Sequence, residues 1–243
     1  MRTISERDLV PLPLIVKYHP NRSLRPAGSG GIIRPMNVKR LKLSEIKDIY
    51  RKYLIHDFPM EERRPYRRIV KYFREHGYEG YGGYDEDGKL LCYAFFYVLK
   101  YRTVGPDGKT VRKKVSLFDY LAVMKDVRDS GIGSAFLQAL TRHFAGKEDL
   151  VFGEVENADY AVSAEDRAVR ERRMDFYLRN GLIDTGVCVQ VWTVEYRIIE
   201  MDLGRAGAAS WRPHTREEIR EACERVYHAV FPQPLYDRYV EVR

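Results

Sequence analysis

"LFDYLAVMKDVRDSGIGSAFLQALTRHF", Leu117 to Phe144, joins three kinds of chain in one stretch. Leu117 to Val123 is an apolar run rich in strand formers, Arg128 to Ser134 carries two glycines one residue apart, and the residues beyond have apolar side chains at helical spacing. The stretch predicts strand, turn and helix, in that order. A helix starting near Gly131 to Ser134 leaves its first backbone amides without partners and gathers about half a positive charge at that end. Gly131 and Gly133 lack the Cβ atoms that would hold an anion off those amides, and Arg128 can add a charge-assisted donor. A diphosphate fits such a seat. The plainer alternative is that the two glycines only permit a tight turn.

Residue identity excludes two common phosphate loops. A Walker loop needs GxxxxGK[ST], and no lysine follows Gly133. A Rossmann fingerprint needs a third glycine where Phe136 stands, and the preceding strand is expected to belong to an antiparallel hairpin instead of opening a parallel β-α-β unit.

Working outward, residues 1 to 31 carry scattered prolines and end in "AGSGG", the composition of an extended arm and flexible link. The compact domain is expected from Ile32. "VKRLKL" (Val38 to Leu43) alternates as a half-buried strand does, and Ser44 is placed to cap a helix from Glu45 to about His56. Asp57-Phe58-Pro59 breaks it, and a second helix is expected from Met60 to His76 with Ile69, Val70, Tyr72 and Phe73 inward. A hairpin follows, "YEGYGGYD" and "KLLCYAFFYVLKYRTV", turned through Asp87-Gly88; "GPDG" turns the chain again into the strand ending at Val123. After the helix to about Ala145 come a strand "LVFGEVEN", a helix "AEDRAVRERRMDFYLRN" stopped by Gly181, and a strand "VCVQVWTVEYRIIEM". The order β-α-α-β-β-β-α-β-α-β argues a mixed α/β (α+β) domain over residues 32 to 202, with a mostly antiparallel sheet flanked by helices.

Residues 203 to 243 begin with a loose link and then give a helix. Thr215 and Glu218 form a capping box, and Ile219, Ala222, Cys223, Val226, Tyr227, Val230 and Phe231 make one apolar stripe. The stripe must be buried, either on its own domain or against a second copy in a homodimer.

The chain has 243 residues, 44% of them apolar, enough for a sizeable core. Cys92, Cys188 and Cys223 form no CxxC pair and the six histidines show no metal-ligand spacing, so the expectation is a reduced, cytoplasmic protein without a metal. No stretch approaches the roughly 18 to 20 apolar residues a bilayer span needs, and "LVPLPLIV" is too short and too proline-rich for a signal-peptide core. The net charge of +7 invites a nucleic-acid reading. In "MEERRPYRR" and "AEDRAVRERR", however, Arg alternates with Asp and Glu, which argues for solvated helix faces and against a nucleic-acid stripe.

These residues resemble a known family. "LAVMKDVRDSGIGSAFLQAL" is similar to the acetyl-CoA segment of the GNAT N-acyltransferase superfamily, R/Q-x-x-G-x-G/A between strand and helix, here Arg128, Gly131 and Gly133. "EVEN" on a strand, then "RRMDFYLRNGLIDTGV" with its F-Y-x-x-x-G, resemble the second half of that pattern. "DFPMEERRP" and "FPQPLYDRYVEV" look like a bacterial subgroup, and the likeness covers about Ile32 to Met201. The resemblance implies a GNAT-like acyl-CoA N-acyltransferase fold and acetyl-CoA as acyl donor. It implies the diphosphate on Val127, Arg128, Asp129, Ser130, Gly131, Ile132, Gly133 and Ser134, and the pantetheine arm pairing with the backbone of Leu121, Ala122 and Val123.

Acyl transfer to an amine needs the neutral nucleophile, and deprotonating an ammonium of pKa near 10.4 at pH 7 costs about 4 to 5 kcal/mol. Glu154 and Glu156, two apart on one strand, face the same side, and either could take that proton directly or through water. They could equally balance nearby arginines. Asp119 on the preceding strand is a third candidate. By the resemblance, Tyr177, four residues before Gly181, is the general acid for the leaving thiolate; helical spacing alone would make it a packing aromatic. The expected activity is N-acetyl transfer from acetyl-CoA to a primary amine by direct attack in a ternary complex. The alternative is a non-catalytic acyl-CoA-binding or protein-interaction module. A protein N-terminus, a lysine, a polyamine or a small antibiotic amine all fit as acceptor.

Overall fold

The computed structural model describes residues 36–75, 77–105, 108–128, 130–207 and 211–243. The expected N-terminal arm, the start at Ile32, His76, the centre of the "GPDG" turn and Asp129 lie outside them. Eight strands form one sheet in the order β1-β2-β3-β4-β5-β7-β6-β8. β1 (Asn37–Arg40), β2 (Tyr78–Tyr84), β3 (Leu90–Val104) and β4 (Thr110–Val123) are antiparallel neighbours. β5 (Leu150–Glu156) then runs parallel to β4, and β7 (Val194–Met201), β6 (Leu182–Val191) and β8 (Val240–Val242) complete the sheet antiparallel to one another. The mixed, mostly antiparallel architecture expected from the sequence is the one observed.

Helices cover both faces. On one face lie α1 (Leu43–Ile49), which widens into a π-type turn over Tyr50–Leu54 and ends in a single turn α2 (Ile55–Asp57), together with α3 (Tyr66–Glu75) and α6 (Arg216–Val230). On the other lie α4 (Ile132–Phe144) and α5 (Ala164–Arg179), whose Phe136, Leu137, Leu140, Phe176 and Tyr177 pack on Phe118, Leu121 and Val123 of β4. A short α7 (Gln233–Tyr239) leads into β8. The α6 stripe is buried against this chain's own sheet, Ile219, Cys223, Val226 and Tyr227 fully, and the Thr215–Glu218 box caps the helix as read. Burying each such large apolar side chain stabilises by about 1.5 to 3 kcal/mol. No helix among the described residues is long and apolar enough to cross a membrane.

Several expectations need correction. Ser44 lies inside α1 and does not cap it; the Glu45 carboxylate reaches back to the Lys42 amide at 2.7 Å and starts the helix earlier. Met60 to His76 is not one helix but a 3-10 turn Met60–Glu62 followed by α3, because Pro65 forces Arg64 out of helical backbone and itself opens the new helix. β4 is both the partner of β3 and the first strand of a parallel β4-α4-β5 crossover, against the expectation that it belonged to the hairpin alone. "VCVQVWTVEYRIIEM" is a tight hairpin, β6 and β7, reversing at Trp192-Thr193. Trp192 adopts the positive φ of 57° that such a turn requires, and its ring stacks on Tyr239 at 3.7 Å.

Candidate active site

The parallel ladder between β4 and β5 is short. Val115, Ser116 and Leu117 pair with Leu150, Val151 and Phe152, and no pairing continues beyond them, although β4 runs on to Val123 and β5 to Glu156. The two strands therefore part along Leu121, Ala122 and Val123 on one side and Glu154 to Glu156 on the other. An irregularity in β4 lies at the mouth of this gap: Phe95 pairs with Tyr120 and Phe96 with Phe118, which skips Asp119. A bulge of this kind turns two successive side chains to one face. Asp119 and Tyr120 both point toward α3 and α6, whereas Phe118 and Leu121 point toward α4.

Those two side chains clamp the segment between α2 and α3. Arg64 Nε donates to both Asp119 oxygens, at 2.7 and 2.9 Å, and Tyr78 donates its hydroxyl to the same carboxylate. The Tyr120 hydroxyl accepts from the Arg64 amide at 2.7 Å and donates to the Glu62 carbonyl at 3.0 Å. Arg64 and Asp119 are only 1% and 2% exposed. Burial alone would disfavour the guanidinium charge, but Asp119 beside it more than restores it. Asp119, one of the three candidate carboxylates, is thus engaged by a buried ion pair. Arg64 was missed in the sequence, since "MEERRPYRR" reads as a solvated face; the signals that could have found it are Pro65, which forces extended backbone there, and an aspartate inside the apolar run "LFDYLAV".

Glu154 and Glu156 share one side of β5 but meet different surroundings. Glu156 pairs with Arg173 at 2.5 Å and with Arg170 at 4.0 Å, both on α5. Glu154 is 1% exposed, and neither of its carboxylate oxygens has a hydrogen-bond partner among the described residues. Burial pushes its carboxyl well above the usual carboxylate range; the charge of Arg64 works against that shift and Asp119 adds to it. The hydroxyl of Tyr196 on β7 is also buried without a partner, and burial together with Glu154 raises it.

Tyr177 lies on the opposite face. It is 1% exposed and packs in the cluster that holds Leu121, Val123 and Phe176, 5.2 Å from the Phe176 ring. Val127, Ile132 and Met174 flank the same cluster.

Around the turn expected to seat a diphosphate, the described residues start α4 at Gly131 and Ile132 and hold Arg128 away from the position expected of it. Gly131 occupies the N-cap of α4 at φ 81°, left-handed backbone that a side chain resists, and no side chain caps the first turn. A Cβ at Gly131 would meet nothing within 4 Å, so its glycine is required by conformation and not by crowding within the protein. Gly133 is buried in the first turn of the helix. Ser130 donates its hydroxyl to the Val127 carbonyl at 2.6 Å, and Ser134 is half-buried. Arg128, expected to reach the anion, donates instead to the Val123 carbonyl at 3.0 Å and to Asp57 at 3.1 Å. The first-turn amides of α4 are then the donors that would suit an anion.

No protein-family model matches the chain, and no curated protein matches it. Among solved structures, mutant forms of the spermidine/spermine N-acetyltransferase SpeG from Vibrio cholerae are similar at 8% identity and a TM-score of 0.46, over 73% of this chain and 100% of that one. The same enzyme with manganese ions gives 9% identity and 0.46, over 72% and 97%. A protein provisionally described as a phosphinothricin N-acetyltransferase gives 13% and 0.44, over 69% and 98%. Such values carry no argument about what this chain acts on. The described residues form a mixed, mostly antiparallel sheet with one parallel pair that parts beyond Leu117 and a helix starting at a glycine turn.

Proposed function

We propose that this chain is an N-acetyltransferase that uses acetyl-CoA as acyl donor and a primary amine as acceptor, by direct attack within a ternary complex. The observation that carries the reading is Glu154: a carboxyl group buried on β5 beside the β4–β5 gap, with neither oxygen bonded among the described residues. A buried carboxyl of this kind is costly to the fold and, once ionised, is suited to receive a proton from an incoming ammonium, directly or through water. Glu154 is the base in this reading, and Glu156, held by Arg173, orients α5 against β5. Tyr177 serves the leaving thiolate from the other face.

The donor supplies the activated acyl group. Val127 to Ser134 would hold its diphosphate, mainly through the first-turn amides of α4, because Arg128 is occupied by Asp57 and Val123. Leu121, Ala122 and Val123 lie where β4 runs past its ladder with β5 and would pair with its extended arm. Three free thiols suit a reduced, cytoplasmic setting.

The test is thiol release from acetyl-CoA against a panel of amines. At least one amine should accelerate release, and Glu154→Gln and Tyr177→Phe should each slow it. Tight binding of coenzyme A with no amine-dependent release, unchanged by Tyr177→Phe, would establish the binding-module alternative instead.

A further inference from the structure

Arg64 is a second buried group on the Glu154 face with unused capacity. Its Nε is spent on Asp119 and its backbone amide on Tyr120, yet Nη1 and Nη2, both buried, meet no acceptor among the described residues. The Asp119 carboxylate is bonded by Arg64 Nε and by the Tyr78 hydroxyl. The charge of Arg64 acts on Glu154, whose two oxygens are equally without donors. Buried hydroxyls of Tyr97 and Tyr196, without partners among the described residues, lie near the pair, the first in the field of Arg64 and the second in that of Glu154. Interiors rarely leave this many polar groups unsatisfied in one region.

A buried guanidinium fork and a carboxyl group, each with hydrogen-bonding positions unmet among the described residues, are complementary, once the carboxyl ionises, to a molecule that carries the two opposite charges. We infer that the acceptor is a small amino acid, its carboxylate received by Nη1 and Nη2 of Arg64 and its amine by Glu154. The inference rests on the acetyl-transfer reading and narrows it. A polyamine would match Glu154 but would bring further cations toward Arg64 and leave its buried donors unpaired, a cost an amino acid avoids. Guanidinium and carboxylate meet in parallel hydrogen bonds, so the fork would also fix the orientation of the amine toward the β4–β5 gap.

The experiment compares each amino acid with its own decarboxylated amine: phenylalanine with phenethylamine, lysine with 1,5-diaminopentane, ornithine with putrescine, with spermidine added. Thiol release from acetyl-CoA and the melting temperature in the presence of coenzyme A are both read. At least one amino acid should exceed its amine in kcat/KM by about ten-fold or more, the effect of one lost charge-assisted hydrogen bond, and should raise the melting temperature where the amine does not. In Arg64→Gln/Asp119→Asn, which removes both charges of the ion pair together, that ratio should fall toward one. Equal or better rates for the amines, or for spermidine, would overturn the proposal while leaving acetyl transfer intact. Amino acids that raise the melting temperature without any thiol release would uphold the binding site and sink the acetyl-transfer reading. No response to amino acids in either measurement would sink the site, and the wild-type melting data decide this even if the double variant does not fold.

Discussion

Glu154 and Tyr177 stand on opposite faces of one sheet, Glu154 beside Arg64 and Asp119, Tyr177 in the cluster with Leu121 and Val123. In the proposed reaction an acid and a base so divided would not serve a single reactant bound on one side. They suit two reactants that meet through the gap where β4 and β5 part. Tyr177→Phe keeps the buried ring and deletes only the hydroxyl. The expected result is a fall in kcat of about a hundred-fold, the usual worth of a positioned acid, with circular dichroism unchanged. Full activity in that variant would remove Tyr177 from the chemistry.

Glu154→Gln should separate function from stability. Burial raises the Glu154 carboxyl, so the folded state holds its proton more tightly than the unfolded chain does. Its stabilising contribution is complete below the ordinary carboxylate range and is lost as pH rises through the raised folded value. The glutamine variant, which cannot ionise, should therefore match wild type in acid and become progressively the more stable of the two as pH rises, in urea titrations at several pH values. Activity should move the other way. The wild-type rate should climb with pH through a limb lying above ordinary carboxylates, and the variant should lose about a hundred-fold or more at every pH.

The buried pair of Arg64 and Asp119 predicts a specific non-additivity. Removing one partner leaves the other charged and buried, so Asp119→Ala should cost about 3 to 5 kcal/mol. Arg64→Met/Asp119→Leu should cost much less, because an apolar pair of similar volume escapes the desolvation penalty. A double-mutant cycle in urea reads the coupling. A pair contributing nothing beyond the two single losses would mean that the β4 bulge does not fasten the α2–α3 link through these charges.

The parts of this architecture legible in the sequence are those written in local chemistry. The helix start at Gly131, the hairpin through Asp87-Gly88 and the α6 stripe each combine a turn or cap residue with one clear period, and all three stand where they were read. The β6–β7 turn was hidden because Trp192 and Thr193 are not turn formers; stacking on Tyr239, brought in by the chain end, supports the positive φ. Arg64 was hidden for a different reason. Its alternating charged neighbours describe a solvated face, and only its pairing with Asp119, 55 residues away, shows that this arginine turns inward. The parallel β4–β5 pair, likewise, depends on a crossover that no local pattern encodes.

Gly131 and its conformation give the sharpest test of the anion seat. At φ 81° a Cβ is strained wherever it points, by about 1 to 2 kcal/mol for an ordinary residue and less for asparagine, which enters left-handed backbone more readily. Open space around the position means no clash inside the protein adds to that strain. Stability should therefore fall in the order Gly, Asn, Ala, Val, with Gly131→Asn close to wild type in urea titration. Affinity for coenzyme A should fall more steeply than stability, because every Cβ here projects beside the uncapped first turn of α4 where the diphosphate would lie. Calorimetry on Gly131→Asn decides between the two roles of this glycine. Weak coenzyme A binding in a stable protein marks it as part of the seat, whereas unchanged binding would reduce it to a turn residue and move the diphosphate elsewhere.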